Sequence, residues 1–195
     1  MGYVKKRIRE LSKIAGSKRR ARQEAEQWYS SNLRDRSVNE AGYTTQRFVP
    51  GKIYVFNYSP VTPDLEWFDI NPVVLALERV GENDLGVNLN LLPIAVKEDL
   101  LDDLYGRMSG QIRNATVGSK TLDANAQSGL RITYQGMKMY LRNKGCDFAI
   151  RQYKPHKKRR QATVAYERWP EMALCDFITL NGKTVRQIRL MFSRR

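Results

Sequence analysis

The spacing of apolar residues changes twice along the chain. Over residues 3–33, Val4, Ile8, Leu11, Ile14 and Ala15 recur at helical intervals and mark a narrow apolar stripe. Gly16 interrupts it, and Ser17 offers a side-chain cap for a second helical stretch with Trp28, Tyr29 and Leu33 at its apolar end. Much of the remaining helical surface is basic: Lys5, Lys6, Arg7, Arg9, Lys13, Lys18, Arg19, Arg20 and Arg22. A helical extension this polar does not fold on its own and needs a surface to lie on. Residues 36–47 are polar and read as a linker. The chain therefore divides into a basic helical arm over 1–35, a linker over 36–47 and a domain over 48–195.

From Phe48 the period shortens to two. Ile53, Val55 and Asn57 alternate with Tyr54, Phe56 and Tyr58, which predicts a strand with an aromatic face entered through a Pro50-Gly51 turn. Val73-Val74-Leu75-Ala76-Leu77 is a continuous apolar run, as in a strand buried on both faces. After a turn at 81–84, Val87, Leu89 and Leu91 alternate with Asn88 and Asn90, extending a third strand to residue 91. Val96, Leu100, Leu101, Leu104 and Met108 fall on one side of a helix over 95–108, long enough to cover a small sheet. These elements predict an α+β fold. Its centre is a small antiparallel sheet or SH3-like barrel covered by helices, with the basic helical arm at the N-terminal side.

The remainder is less regular. Residues 109–129, rich in Ser, Gly, Asn and Thr, read as a long loop. Residues 130–143 fit either a strand or a helix. A short helix is expected around 146–153, a strand over 162–166, and a short helix entered through Pro170. Residues 177–180 and 185–192 close the chain, the last as strand or helix.

Charge sharpens this division. Residues 1–60 carry 13 bases and 5 acids, residues 61–104 carry 2 bases and 10 acids, and residues 105–195 carry 19 bases and 5 acids. The net charges of +8, −8 and +14 sum to the formal +14 of the whole chain. Basic flanks suit phosphate binding, since each neutralised phosphate releases counterions. The acidic belt between them suits pairing with a basic segment of a neighbouring copy. The densest basic run is Lys154, Lys157, Lys158, Arg159 and Arg160, flanked by Tyr153 and Tyr166, and Arg194 and Arg195 end the chain. No apolar run is long enough to span a bilayer, so no membrane partner is expected.

Catalytic chemistry is thinly represented. His156, the only histidine, sits among like charges, and Cys146 and Cys175 lack metal or disulfide spacing and read as buried structural thiols. Glu98, Asp99, Asp102 and Asp103 could serve a metal-dependent nuclease, but at helical spacing they form one solvated stripe. Phosphate-cradling glycine loops and nucleophile elbows are absent. The expectation is a protein that is not an enzyme and uses no cofactor or metal.

Three elements carry a resemblance. Gly51-x-x-Tyr54-x-Phe56-x-Tyr58, then Phe68-Asp69-x-x-Pro72, then Gly86-x-Asn88-x-x-x-Leu92-Pro93 resemble, in order and spacing, a family of small structural proteins of large contractile-tailed bacteriophages. Members are commonly labelled DNA end protector or tail/baseplate-associated. The resemblance covers roughly residues 48–180 and leaves out the basic arm. Where the family often has His-Tyr, this chain has Asn90-Leu91. The resemblance implies a non-enzymatic virion protein of the tail, baseplate or head–tail neck, made in the host cytoplasm. Its partners would be other virion proteins and further copies of itself in a ring, with the DNA phosphate backbone as a further contact. The alternative it implies is a DNA end-binding protein that shields packaged genome termini. Asp69, Asn88 and Asn90 read as scaffold residues, with Asp69 bonding the backbone ahead of Pro72.

Overall fold

The computed structural model describes residues 2–31, 47–59, 69, 71–116, 132–175, 179–180 and 183–184. The fold is α+β, built on an antiparallel half-barrel. Strands β1 (Ile53–Tyr58), β2 (Val73–Val80), β3 (Asn83–Asn88), β4 (Ile150–Tyr153) and β5 (Lys158–Val164) form one sheet in the order β4-β3-β2-β1-β5. Bulges between Val55 and Asn57 and between Ala76 and Glu78 add the local twist that curls it. The β2–β3 hairpin closes through a two-residue loop whose first residue, Gly81, has φ 59°, the left-handed conformation such loops require.

Side-chain alternation sorts the sheet into two buried layers. Ile53, Val55, Val73, Leu75, Leu77, Leu85 and Val87 face the main core, while Tyr54, Phe56, Val74, Ala76 and Tyr153 form a second cluster on the other face. This is why the run from Val73 to Leu77 is apolar at every position, as expected for a strand covered twice.

Helices α1 (Tyr3–Ile14), α2 (Lys18–Tyr29), α3 (Ile94–Thr116), α4 (Tyr134–Asn143) and α5 (Trp169–Leu174) supply the other half of the main core. The helical arm finds its surface within its own chain. Val4 and Ile8 of α1, with Ala21, Ala25 and Tyr29 of α2, are buried in the same cluster as Leu100, Leu101 and Trp169. α1 packs on α2, α3 and α5, and α2 on α5. Ser17 caps α2 through its side chain, accepting from Arg20 N, as its sequence position predicts.

Several expectations are corrected. The third strand stops at Asn88, because the Asn88 side chain accepts from Asn90 N and turns Leu89–Leu91 into a 3-10 turn. α3 runs to Thr116, into the stretch read as a loop, where no proline bars its continuation. Of the strand and helix left open for residues 130–143, the helix is found over Tyr134–Asn143, capped by Thr133 accepting from Gly136 N. The helix expected over 146–153 is instead a 3-10 turn followed by β4. Cys146, Ala149, Ile150 and Tyr153 mimic helical spacing there, but Gly145, at φ 64°, has already ended α4. The later strand begins at Lys158, not at residue 162, so the basic run is itself part of the sheet. Linker residues 36–46, loop residues 117–129 and residues 185–195 lie outside the described residues. Thr179–Leu180 and Lys183–Thr184 form a small separate pair of strands.

Candidate functional site

The polar residues singled out in the sequence fall into four groups: an internal hydrogen-bond network, an ion pair inside the sheet, an acidic stripe on α3, and a set of mostly exposed bases.

Asp69 anchors the first. Its Oδ1 accepts from Asn71 N at 3.0 Å, the local turn bond expected ahead of Pro72. Its Oδ2 accepts from Asn88 Nδ2 at 3.0 Å and from Asn90 Nδ2 at 2.7 Å. Asn90 Nδ2 also donates to Asn71 O at 3.2 Å. The 3-10 turn is what allows this: a strand through residue 90 would space Asn88 and Asn90 along one face, whereas the turn brings both amides to one oxygen. Burial raises the Asp69 carboxyl above its ordinary range, against the lowering effect of the three donors. The network joins the end of β3 to the segment that enters β2. Pro72 is buried at that entry, and Pro93 leads into α3.

Lys158 carries the second group and corrects an expectation. Counted among the bases open to DNA or a partner, it is instead fully buried. Its Nζ lies 2.5 Å from Asp84 Oδ2 and 3.9 Å from the centre of the Phe48 ring, with Phe56 beyond. Burial lowers the ammonium's pKa against the raising effect of Asp84. The aromatic face predicted for β1 forms the walls of this box. Phe48 stacks on Tyr54, and Phe56 and Tyr58 each meet Tyr153 edge-on. Tyr58 Oη accepts from Lys154 N, tying β1 to the start of the β4–β5 connection. Asp84 and Phe48 were not legible as site residues, since Asp84 sits next to a turn where an exposed acid is ordinary.

The acidic stripe of α3 is also occupied from within the chain. Asp99 pairs with Lys5 at 2.7 Å and Glu98 with Lys18 at 2.7 Å. Asp103 pairs with Arg107 along the helix at 2.6 Å. Asp102 accepts from the backbone N–H groups of Gly2 and Lys5 and so caps α1 from a different helix. A side chain at Gly2 would collide with that carboxylate. Glu98, Asp99 and Asp102 thus join α3 to the chain's own N-terminal helices. Among the described residues no group of three or more His, Cys, Asp or Glu is placed to share a metal ion.

The remaining bases form the fourth group. Lys6, Arg7, Arg19, Arg20, Lys154 and Arg159 are exposed, and Lys157 and Arg22 are half-buried. Arg7 is held by Glu10 at 2.9 Å. Arg160 lies in β5, with its side chain outside the described residues, as are Arg194 and Arg195. His156 is exposed in the β4–β5 connection. Cys146 and Cys175 are both buried, and burial pushes the Cys175 thiol up to about 12. Lys97, which no sequence signal marked, is buried on α3 and donates to the carbonyl of Cys175. Among the described residues no helix is long and apolar enough to cross a membrane.

No protein family, curated protein or solved structure matches the chain.

Proposed function

We propose that this chain is a non-enzymatic structural protein of a tailed-phage virion, seated in the tail, baseplate or neck and joined to its neighbours through exposed basic surfaces. The resemblance over residues 48–180 supplies the setting. The observation that carries the non-enzymatic part is the use to which the marked polar residues are put. Asp69, Asn88 and Asn90 bond one another and the local backbone, and Glu98, Asp99, Asp102 and Asp103 bond bases or helix termini of the same chain. Such groups fix a scaffold. Subunit contact then falls to other bases, among them Lys154 and Lys157 in the connection between β4 and β5, where charge favours a defined partner over indiscriminate contact.

The test is incorporation into particles. Purified phage particles should contain the chain at a fixed ratio to the other virion proteins. Lys154→Ala combined with Lys157→Ala should lower that ratio while leaving the melting temperature of the isolated protein unchanged. A chain found only in the particle-free fraction would refute the reading.

A further inference from the structure

We infer that the outward side of the α1–α2 helical pair binds the phosphate backbone of duplex DNA, without preference for sequence or for ends. This surface lies outside residues 48–180, so the inference owes nothing to the resemblance. It rests on a different observation from the virion reading: the fold separates the bases of the N-terminal helices that pair with α3 from exposed ones that do not.

The inner set is neutralised. Lys5 and Lys18 turn toward α3 and pair with Asp99 and Glu98. The outer set comprises Lys6, Arg9, Lys13, Arg19 and Arg20, all exposed, and none has a carboxylate partner among the described residues. Lys6, Arg9 and Lys13 follow an i, i+3, i+7 spacing, which places them on one face of α1. Val4 and Ile8 are buried on the opposite face. The three cations cover about 10 Å of helix axis at ~1.5 Å per residue. A strand of B-DNA presents a phosphate about every 3.4 Å along its axis, so each cation has an anion within reach. Arg19 and Arg20 follow the Gly16–Ser17 corner in the first turn of α2, which holds no acidic residue and where the helix dipole adds positive potential.

The sorting decides the ligand class. A solvated basic tail would carry its bases on all sides. Here the acids of α3 cancel the inward cations, while Lys6, Arg9 and Lys13 share a face of α1 whose flanking acid, Glu10, is held by Arg7. The exposed apolar residue beside it is Ile14, next to Lys13, and a lone aliphatic side chain is not the aromatic anchor that a protein interface centres on. A polyanion with regularly spaced charge and no need of a pocket fits that face.

The experiment uses the full chain and a fluorescent linear duplex of mixed sequence, with affinity measured across a salt series. Two variants of equal net charge are compared: Lys6→Ala with Lys13→Ala, and Arg79→Ala with Arg142→Ala, the second pair being exposed bases elsewhere. The first should flatten the slope of log affinity against log salt by about two, one unit per lost phosphate contact. The second should leave the slope unchanged. Closed-circular duplex should compete as well as linear. No binding at low salt, equal flattening in both variants, or competition by linear ends alone would each overturn the inference. The virion reading fails on separate grounds, by absence of the chain from purified particles.

Discussion

Lys158 Nζ and Asp84 Oδ2 lie 2.5 Å apart with their side chains sealed from solvent, and they join strands that are not neighbours. β5 and β3 are separated in the sheet by β1 and β2, so the pair spans the curled face of the half-barrel and ties an edge strand to the strand next to the opposite edge. Phe48 lies over the ammonium and adds a cation–π contact.

Breaking this pair leaves a buried charge without a partner. Lys158→Met is expected to lower unfolding free energy by about 3–5 kcal/mol in urea denaturation. Lys158→Met combined with Asp84→Leu should recover most of the loss, because no lone charge remains. A single variant as stable as the parent would show that the ion pair does not hold the strands.

Asp69 makes a pH prediction with a definite sign. Its folded pKa lies above the unfolded value, so the native state binds more protons than the unfolded state between the two. The contribution of this group is fully present below the unfolded pKa and is lost as pH rises through the folded one. Asp69→Asn removes that dependence and leaves donors of Asn71, Asn88 or Asn90 unmatched, at a cost of about 1–3 kcal/mol. The stability gap between parent and variant should widen as pH falls from 7 toward 4. Equilibrium denaturation at several pH values measures it, and a gap that narrows would contradict the assignment.

Asp102 and Asp103 are adjacent but do different things. Asp102→Ala removes the acceptor that caps α1 and should cost about 1 kcal/mol. Asp103→Ala removes only an exposed pair within α3, worth about 0.2–0.5 kcal/mol. Amide exchange should also quicken at the start of α1 in the first variant alone.

Both thiols are buried, and the Cys175 thiol is held at about 12 by burial. Neither should react with a thiol reagent in the native protein at neutral pH, and both should react once urea unfolds it. Rapid native labelling of Cys175 would show that the α5 terminus opens readily.

Much of the sheet was legible because alternation and continuous apolar runs report burial directly, as at Ile53–Tyr58 and Val73–Leu77. Failures occurred where short polar side chains or non-local contacts decide. Asn88 ends its strand by bonding Asn90 N, a local competition that the apolar alternation of Val87, Leu89 and Leu91 conceals. Cys146, Ala149, Ile150 and Tyr153 repeat at helical intervals, yet pairing with β3 draws their second half into the sheet. In the candidate site, the turn bond of Asp69 was readable from its place before Pro72, whereas its bonds to Asn88 and Asn90 depend on tertiary approach. Lys158 was least readable. Within a run of bases, only its partners across the sheet distinguish the buried cation from the exposed ones.

The division of the bases into buried, paired and free sets underlies both the scaffold and its surfaces, and residue-resolved lysine methylation of the native chain tests it most directly. Lys6, Lys13 and Lys154 should be modified rapidly, while Lys97 and Lys158 stay unmodified until the protein is unfolded. Lys158 reacting as fast as Lys154 would contradict the account.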